Sequence, residues 1–174
     1  FLLHIMSSIT IRLATNEDIE SIMIIVKKSI PLMHAVGNYQ WADDYPNEEK
    51  FRDDVLKQQL WVCEEDNKLL GVGALTEDQG EDYKQLWDID VTTVVPHRIC
   101  VDPDCRGKGI CKLLLKQAEK LSNERGYPSV RVDTNSMNKA MQHILQDLGY
   151  KYLGKLKLTG RETLEFVGYE KFLN

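Results

Sequence analysis

Residues 102–111 have the types and spacing best suited to binding an anion. Two glycines, Gly107 and Gly109, lie in a predicted turn between a strand rich in β-branched residues and an amphipathic helix. Glycine lets the backbone approach a ligand closely, and the first turn of a helix leaves N–H groups that bind phosphate. Arg106 and Lys108 add positive charge. The segment therefore predicts a phosphate-binding turn.

Two common phosphate-binding motifs do not fit this turn. A P-loop has Ser or Thr after its Gly-Lys pair, whereas Lys108 is followed by Gly109. A dinucleotide-binding fingerprint has a further glycine three positions on, where this chain has Lys112. The pattern that remains is Arg-x-x-Gly-x-small, formed by Arg106, Gly109 and Cys111.

This pattern resembles the main motif of the GNAT superfamily of acetyl-CoA-dependent N-acetyltransferases, in which a strand leads into Q/R-x-x-G-x-G/A and a helix. Cys111 stands in place of the final Gly or Ala. The second motif of that superfamily, Asn-x-x-Ala-x-x-hydrophobic ending in Gly-Phe or Gly-Tyr, resembles residues 138–150, with Ala140 one position early. With the order of predicted elements, the resemblance extends over residues 9–170.

The resemblance implies acetyl-CoA as co-substrate and no metal. The backbone of residues 106–111 would hold the pyrophosphate, and a strand splayed from its parallel neighbour would offer main-chain groups to the pantetheine arm. Asn138 would bond to that arm; its alternative role is a helix cap. The cofactor-binding residues implied are Ile99, Cys100, Val101, Arg106, Gly107, Lys108, Gly109, Ile110, Cys111 and Asn138.

Acetyl transfer to an amine requires a base, because only the neutral amine attacks a thioester. We predict that His97 is this catalytic residue. Strand alternation predicts that His97, Ile99 and Val101 share one face. The chain is also similar to some arylalkylamine acetyltransferases, which place a His four residues before the matching Val. A hydrogen-bonded structural role for His97 is the alternative.

The resemblance fails at the general acid. Many family members carry a Tyr on the last helix that protonates the departing thiolate, and this chain has Leu145 there. Tyr150 occupies the usual aromatic core position. The thiolate of coenzyme A, whose thiol has a pKa of about 8.5, can leave without full protonation, so water suffices as the proton donor. The missing Tyr supports an alternative function, a non-catalytic acyl-CoA-binding sensor or interaction module.

Trp41 and Tyr45 lie in the segment that shapes the acceptor pocket in the resembling family. We expect both rings to pack on an amine acceptor; a loop anchored by an aromatic is the alternative. Residues 155–161 are candidates for the opposite wall. Residues 1–100 contain 9 Lys and Arg against 18 Asp and Glu, and residues 101–174 contain 13 against 9. This asymmetry suits a cationic acceptor and a polyanionic cofactor, or two differently solvated faces.

The elements that position these residues follow the order β-α-α-β-β-β-α-β-α-β-β in one predicted domain, residues 7–174, after a leader of residues 1–6. Residues 15–18 predict a cap at the start of the first helix. Pro31 predicts the end of that helix or a kink in it, and Pro96 predicts an edge strand or a bulge. This order predicts an α/β fold. The resemblance implies a mixed, mostly antiparallel sheet flanked by helices, with a splayed parallel strand pair.

Composition excludes several classes of protein. The chain is 43% hydrophobic and 28% charged with a net charge of −5, which is typical of a soluble globular protein and disfavours nucleic-acid binding. Its longest apolar run is too short for a membrane span, and without a signal peptide we expect a cytoplasmic protein, with a homodimer left open. We expect free thiols at the four cysteines, which lack CxxC spacing: Cys63, Cys100, Cys105 and Cys111.

Overall fold

The computed structural model describes residues 8–173, and the predicted leader at residues 1–6 lies outside them. The order of elements is the one predicted from the sequence. The strands and helices are β1 (Thr10–Leu13), α1 (Ile19–Ala35), α2 (Glu48–Leu56), β2 (Leu60–Glu65), β3 (Lys68–Thr76), β4 (Val95–Val101), α3 (Ile110–Glu124), β5 (Ser129–Asn135), α4 (Lys139–Asp147), β6 (Lys151–Leu156) and β7 (Phe166–Phe172). Short 3-10 helices occupy Asn16–Asp18, Glu81–Gln85 and Pro103–Cys105.

The sheet is divided into two antiparallel halves, β1-β2-β3-β4 and β5-β7-β6. A parallel bridge between Val94 and Val130 joins them, and the N–H of Arg131 donates to the carbonyl of Val94 at 3.1 Å. Beyond that bridge, no ladder within residues 8–173 connects β4 to β5. The two strands therefore form a V-shaped opening, closed at Val94 and open towards Val101, which confirms the splayed pair.

A buried polar network holds the closed end of this opening. Ser122 Oγ and Thr93 Oγ1 both donate to the carbonyl of Ser129. Ser129 Oγ donates to Glu170 Oε1 at 2.7 Å, and Arg131 Nε donates to the same oxygen at 2.8 Å. Because each buried polar group has a partner, the network joins the two half-sheets without leaving a charge uncompensated.

Helices cover the half-sheets in two groups. Side chains of α1 and α2 form a core cluster with β2 and β3, and side chains of α3 and α4 form another with β5 and β7. The first residue of α3, Ile110, packs closely on β3, because a Cβ added at Gly71 would lie 2.6 Å from Ile110 Cγ2. This close approach fixes the beginning of α3 beside the end of β4.

Helix α1 continues through Pro31 to Ala35, so the predicted helix end at Pro31 was wrong, and the alternative of a kink there stays a prediction. Pro31 lies on the exposed side of the helix, where solvent can satisfy the carbonyl that loses its hydrogen bond. Ile30 is buried, and Met33 packs against the same core on the far side of the proline. The predicted cap at the other end is present, with the N–H of Thr15 donating to Asp18 Oδ2 at 2.8 Å.

Strand β4 lies at the edge of its half-sheet and contains a β-bulge, and Pro96 predicts either feature. Its pairing with β3 shifts between Val72 and Ala74, so that Arg98 and Ile99 both lie opposite one residue. The backbone of Arg98 is left-handed, with φ of +54°. His97 pairs with Ala74 and Cys100 pairs with Val72. His97 is therefore on the face of Cys100, and the prediction that it shares a face with Ile99 and Val101 was wrong.

Candidate active site

A cavity of about 590 Å³ occupies the V-shaped opening. Its walls come from the α1–α2 loop, the 3-10 helix Glu81–Gln85, strands β4 and β5, helix α4 and the β6–β7 loop. The structure thus brings together residues that are more than a hundred positions apart in the sequence. Five of the predicted site residues line this cavity: Trp41, Tyr45, His97, Ile99 and Asn138.

His97 is half-buried on the cavity wall, with Nε2 3.2 Å from the carbonyl oxygen of Asp78. A carbonyl oxygen can only accept a hydrogen bond, so Nε2 must carry the proton in this contact. The other nitrogen of a neutral ring, Nδ1, then has a free lone pair. The bulge breaks the predicted alternation of side chains along β4, but His97 and Ile99 still both line this cavity. The geometry suits a proton acceptor held in one tautomer.

Beneath the bulge lies a buried ion pair that sequence reasoning missed. Arg98 Nε and Nη2 each donate to a different oxygen of Asp54 at 2.8 Å, with side chains 6% and 0% exposed. Burial opposes the charge of Arg98, but its hydrogen bonds to Asp54 and Tyr45 outweigh that effect and raise its pKa. Arg98 Nη1 donates to Tyr45 Oη at 3.4 Å. The pair therefore positions a cavity-lining ring.

Tyr83 is a second residue that sequence reasoning missed. It is buried, stacked on Trp87 with ring centroids 5.0 Å apart, and it lines the cavity with its hydroxyl donating to Asp133 Oδ1 at 2.7 Å. Burial and the neighbouring carboxylate both raise the pKa of Tyr83. Its hydroxyl is therefore protonated at neutral pH. Tyr83 lies in a polar stretch of sequence that offered no periodic signal.

The predicted phosphate-binding turn lies at the open end of the cavity-forming strands. Gly107 and Gly109 have φ of +84° and +76°, a left-handed conformation that favours glycine, and a Cβ added at either would meet no atom within 4 Å. The turn is therefore open to a ligand. Lys108 Nζ lies 2.5 Å from Glu65 Oε2, and Arg106 is exposed. Helix α3 begins immediately afterwards at Ile110, whose side chain is buried in the core.

The cysteines near the cavity are packing residues. Cys111 Sγ lies 3.8 Å from Met141 Sδ, and burial raises its pKa to about 12. Burial likewise raises the pKa of Cys100 to about 11, and its Sγ donates to Ser29 Oγ at 3.2 Å. Both groups are therefore thiols at neutral pH. A thiolate nucleophile has no support at either position.

Asn138 caps helix α4. Its Oδ1 accepts from the N–H of Met141 at 3.2 Å, and its Nδ2 donates to Thr134 Oγ1 at 3.1 Å. The capping role that the sequence left as an alternative is therefore present. One amide N–H of Asn138 is not used in these bonds, and the residue lines the cavity, so a ligand contact is compatible with the cap.

Leu145 on α4 and Tyr150 just after it, the two positions considered for a general acid, both lie in the core. Leu145 is fully buried among side chains of α3 and β5, whereas Met141, one turn earlier, lines the cavity. Tyr150 is also buried, and burial is the main cause that raises its pKa. The expectation that residue 145 faces the departing group is therefore not met, because the apolar packing of α4 turns that position inwards.

We expect Leu145→Tyr to fold less stably instead of supplying an acid. The larger ring would enter a filled core, which costs about 1–3 kcal/mol of the free energy of unfolding. Urea unfolding of the variant should show a lower midpoint than wild type. His143→Tyr, on the exposed side of the same helix, is the matched control and should unfold like wild type. A Leu145→Tyr protein with unchanged stability would show that this position is not tightly packed.

A membrane-spanning helix and a metal-binding cluster are both absent from residues 8–173. No helix in that range is long and apolar enough to cross a membrane. Within the same residues, no group of three or more His, Cys, Asp or Glu side chains is arranged to hold a metal ion.

Comparison with known proteins gives a consistent result. Residues 30–150 match the acetyltransferase (GNAT) family. A GNAT-family acetyltransferase from Streptococcus agalactiae, solved by crystallography, is 31% identical with a TM-score of 0.81, over 95% of this chain and 96% of that chain. The crystal structure of PaiA N-acetyltransferase from Thermoplasma acidophilum in complex with coenzyme A is similar in fold, with 20% identity and a TM-score of 0.71 over 95% of this chain and 99% of that chain.

The human relative N-acetyltransferase 8B is 31% identical over 100 residues, which are 55% of this chain and 40% of that protein. Human N-acetyltransferase 8 is 27% identical over 118 residues, 62% of this chain and 48% of that protein. The chain thus spans less than half the length of these curated relatives.

Proposed function

The chain belongs to the acetyltransferase (GNAT) family, and from this premise we propose that it transfers the acetyl group of acetyl-CoA to a primary amine of a small molecule or peptide. The amine attacks directly within a ternary complex. The observation that carries this proposal is the V-shaped opening, in which a base with a fixed tautomer and aromatic side chains line one cavity. The phosphate-binding turn follows the strand that forms one side of this opening.

The residues at the open end fit acetyl-CoA, which supplies an acetyl group activated as a thioester. Backbone N–H groups of residues 106–111 hold the pyrophosphate, because the left-handed glycines expose them and the first turn of α3 adds a positive dipole end. Arg106 adds a cation. Residues 99–101 of β4, which have no partner strand on the β5 side within residues 8–173, offer backbone groups to the pantetheine amides. Asn138 donates its remaining N–H to the same arm.

The base in this proposal is His97. Its Nδ1 lone pair removes a proton from the attacking amine, while the carbonyl of Asp78 keeps the other ring nitrogen protonated. Trp41 and Tyr45 form the wall against which the acceptor packs. The leaving thiolate has a conjugate acid with a pKa of about 8.5, so it departs without a dedicated acid.

Gly109→Asp tests the cofactor site. The added carboxylate would lie against the pyrophosphate and strain a backbone with φ of +76°, so we expect affinity for acetyl-CoA to fall more than about tenfold, which is 1.4 kcal/mol. Calorimetric titration of acetyl-CoA measures this. Gly126→Asp is the matched control, since Gly126 has φ of +70° at the other end of the same helix and should suffer similar strain only. Equal affinities in the two variants would overturn the placement of the pyrophosphate.

One observation favours a non-catalytic acyl-CoA-binding sensor as the second candidate. Neither Leu145 nor Tyr150 reaches the cavity wall, so the acid that many relatives carry has no counterpart on α4. Incubation of the protein with acetyl-CoA and a panel of amines distinguishes the two functions. The enzyme releases coenzyme A in proportion to amine, whereas the sensor binds acetyl-CoA without turnover.

A further inference from the structure

Five of the seven arginines in residues 8–173 are paired with carboxylates. Arg106 and Arg161 are the exceptions, because neither has a carboxylate oxygen within 4.0 Å among residues 8–173. Arg106 lies in the predicted phosphate-binding turn, where the proposed pyrophosphate would supply the anion. Arg161 lies elsewhere, on the wall of the cavity. The arginines that do have carboxylate partners are Arg12, Arg52, Arg98, Arg125 and Arg131.

The guanidinium of Arg161 is held in place without being neutralised. It is half-buried in the β6–β7 loop, its Nη2 donates to the carbonyl of Gln40 at 2.8 Å, and its Cζ lies over the ring of Tyr45, 5.0 Å from the centroid. A guanidinium has five N–H donors, and one is used in this contact. The remaining donors form a rigid fork of the kind that binds carboxylates with two hydrogen bonds.

Two of the three acidic side chains on the cavity, those of Asp82 and Asp133, accept hydrogen bonds from other residues. Asp82 accepts from the N–H and hydroxyl of Thr159 at 2.8 and 3.0 Å, and Asp133 accepts from Tyr83. Asp54, close beneath the wall, is paired with Arg98. The cavity thus holds a fixed cation whose compensating anion is not supplied by these carboxylates.

We propose that Arg161 binds a carboxylate carried by the acceptor, so that the acceptor is an amino acid or an amino-acid derivative with a free amine. This inference rests on the proposed function and refines it: the substrate carries both charges instead of being purely cationic. The amine approaches His97 on the β4 wall, and the carboxylate meets Arg161 on the β6–β7 wall. A phosphate group is less suited to this place, because Asp78, Asp82 and Asp133 line the same cavity and repel a dianion more strongly.

The test compares acceptors that differ only in the carboxylate. Phenylalanine with phenethylamine and lysine with cadaverine are two such pairs, and O-phosphoethanolamine tests phosphate. Wild type should prefer the amino acid of each pair. Arg161→Gln should lower kcat/KM for the amino acids by roughly 10- to 100-fold, the effect of losing a charge-assisted hydrogen bond, with less than about threefold change for the decarboxylated amines. Arg161→Lys should recover part of the loss. Lys151→Gln, an exposed change at the far end of the neighbouring strand β6, should leave all rates unchanged.

Binding provides a readout that does not depend on turnover. Calorimetry with N-acetylphenylalanine and coenzyme A should show weaker binding of the acetylated amino acid to Arg161→Gln, with acetyl-CoA affinity unchanged. If no amine is acetylated but this difference appears, the transferase function fails and the carboxylate site stands. If Arg161→Gln lowers rates equally for amino acids and amines, or binds N-acetylphenylalanine like wild type, Arg161 merely fastens the loop and the inference is overturned. A preference for O-phosphoethanolamine overturns the choice of carboxylate.

Discussion

Replacing His97 with alanine is expected to lower kcat/KM for acetyl transfer by roughly 10²- to 10⁴-fold, the usual range for a general base. In the proposed mechanism the variant loses the Nδ1 lone pair that receives the amine proton, whereas the residues proposed to contact acetyl-CoA are unchanged. Affinity for acetyl-CoA should therefore change less than about twofold. Steady-state rates with a reactive amine, together with a calorimetric titration of acetyl-CoA, measure the two quantities.

A second substitution separates the base from a structural histidine. In His97→Gln the side-chain amide can still donate to the carbonyl of Asp78, so the local structure is kept while the base is removed. We expect it to be as slow as His97→Ala. Recovery of most of the activity in His97→Gln would assign His97 a structural role, with water as the base. His143→Ala, at an exposed position away from the cavity, is the control and should be fully active.

The largest effect on stability is expected from Asp54→Ala. Removing the carboxylate leaves the guanidinium of Arg98 buried and without its counter-charge, which costs about 3–5 kcal/mol of the free energy of unfolding. Urea unfolding at neutral pH measures this loss. Asp53→Ala removes an adjacent but more exposed carboxylate and should unfold almost like wild type.

A double variant shows whether the cost comes from the uncompensated charge. In Asp54→Leu with Arg98→Leu both charges are absent, and we expect much of the lost stability to return because apolar side chains tolerate this buried place. A double variant no more stable than Asp54→Ala would mean that the geometry of the pair, and not the buried charge, supports the bulge.

Local patterns in the sequence predicted the order of elements and the turn at the beginning of α3. Helical spacing of apolar residues, the cap at Thr15 and Asp18, and the two glycines each act over a few neighbouring residues, and these features are in the structure. The division of the sheet into two halves came from the family resemblance. Alternation and propensity alone do not determine which strands separate.

Interactions between distant segments could not be predicted. Arg98 and Asp54 are 44 positions apart in the sequence. The left-handed backbone of Arg98 belongs to the bulge that changes which face of the sheet His97 lies on. One signal was available: Asp54 follows Phe51 on the buried side of α2, where an unpaired charge would be costly. Tyr83 offered no comparable signal, because its partner Asp133 belongs to a strand that comes 50 positions later.

The irregular shape of β4 also bears on self-association. A strand whose edge has no neighbour is a template on which a strand of another chain can add, the first step in many aggregation processes. Between Val94 and Val101 the side of β4 facing β5 is such an edge, but Pro96 has no N–H to offer and the bulge at Arg98 interrupts a regular ladder. These two irregularities on one side of the opening therefore make it a poor place for an invading β-strand.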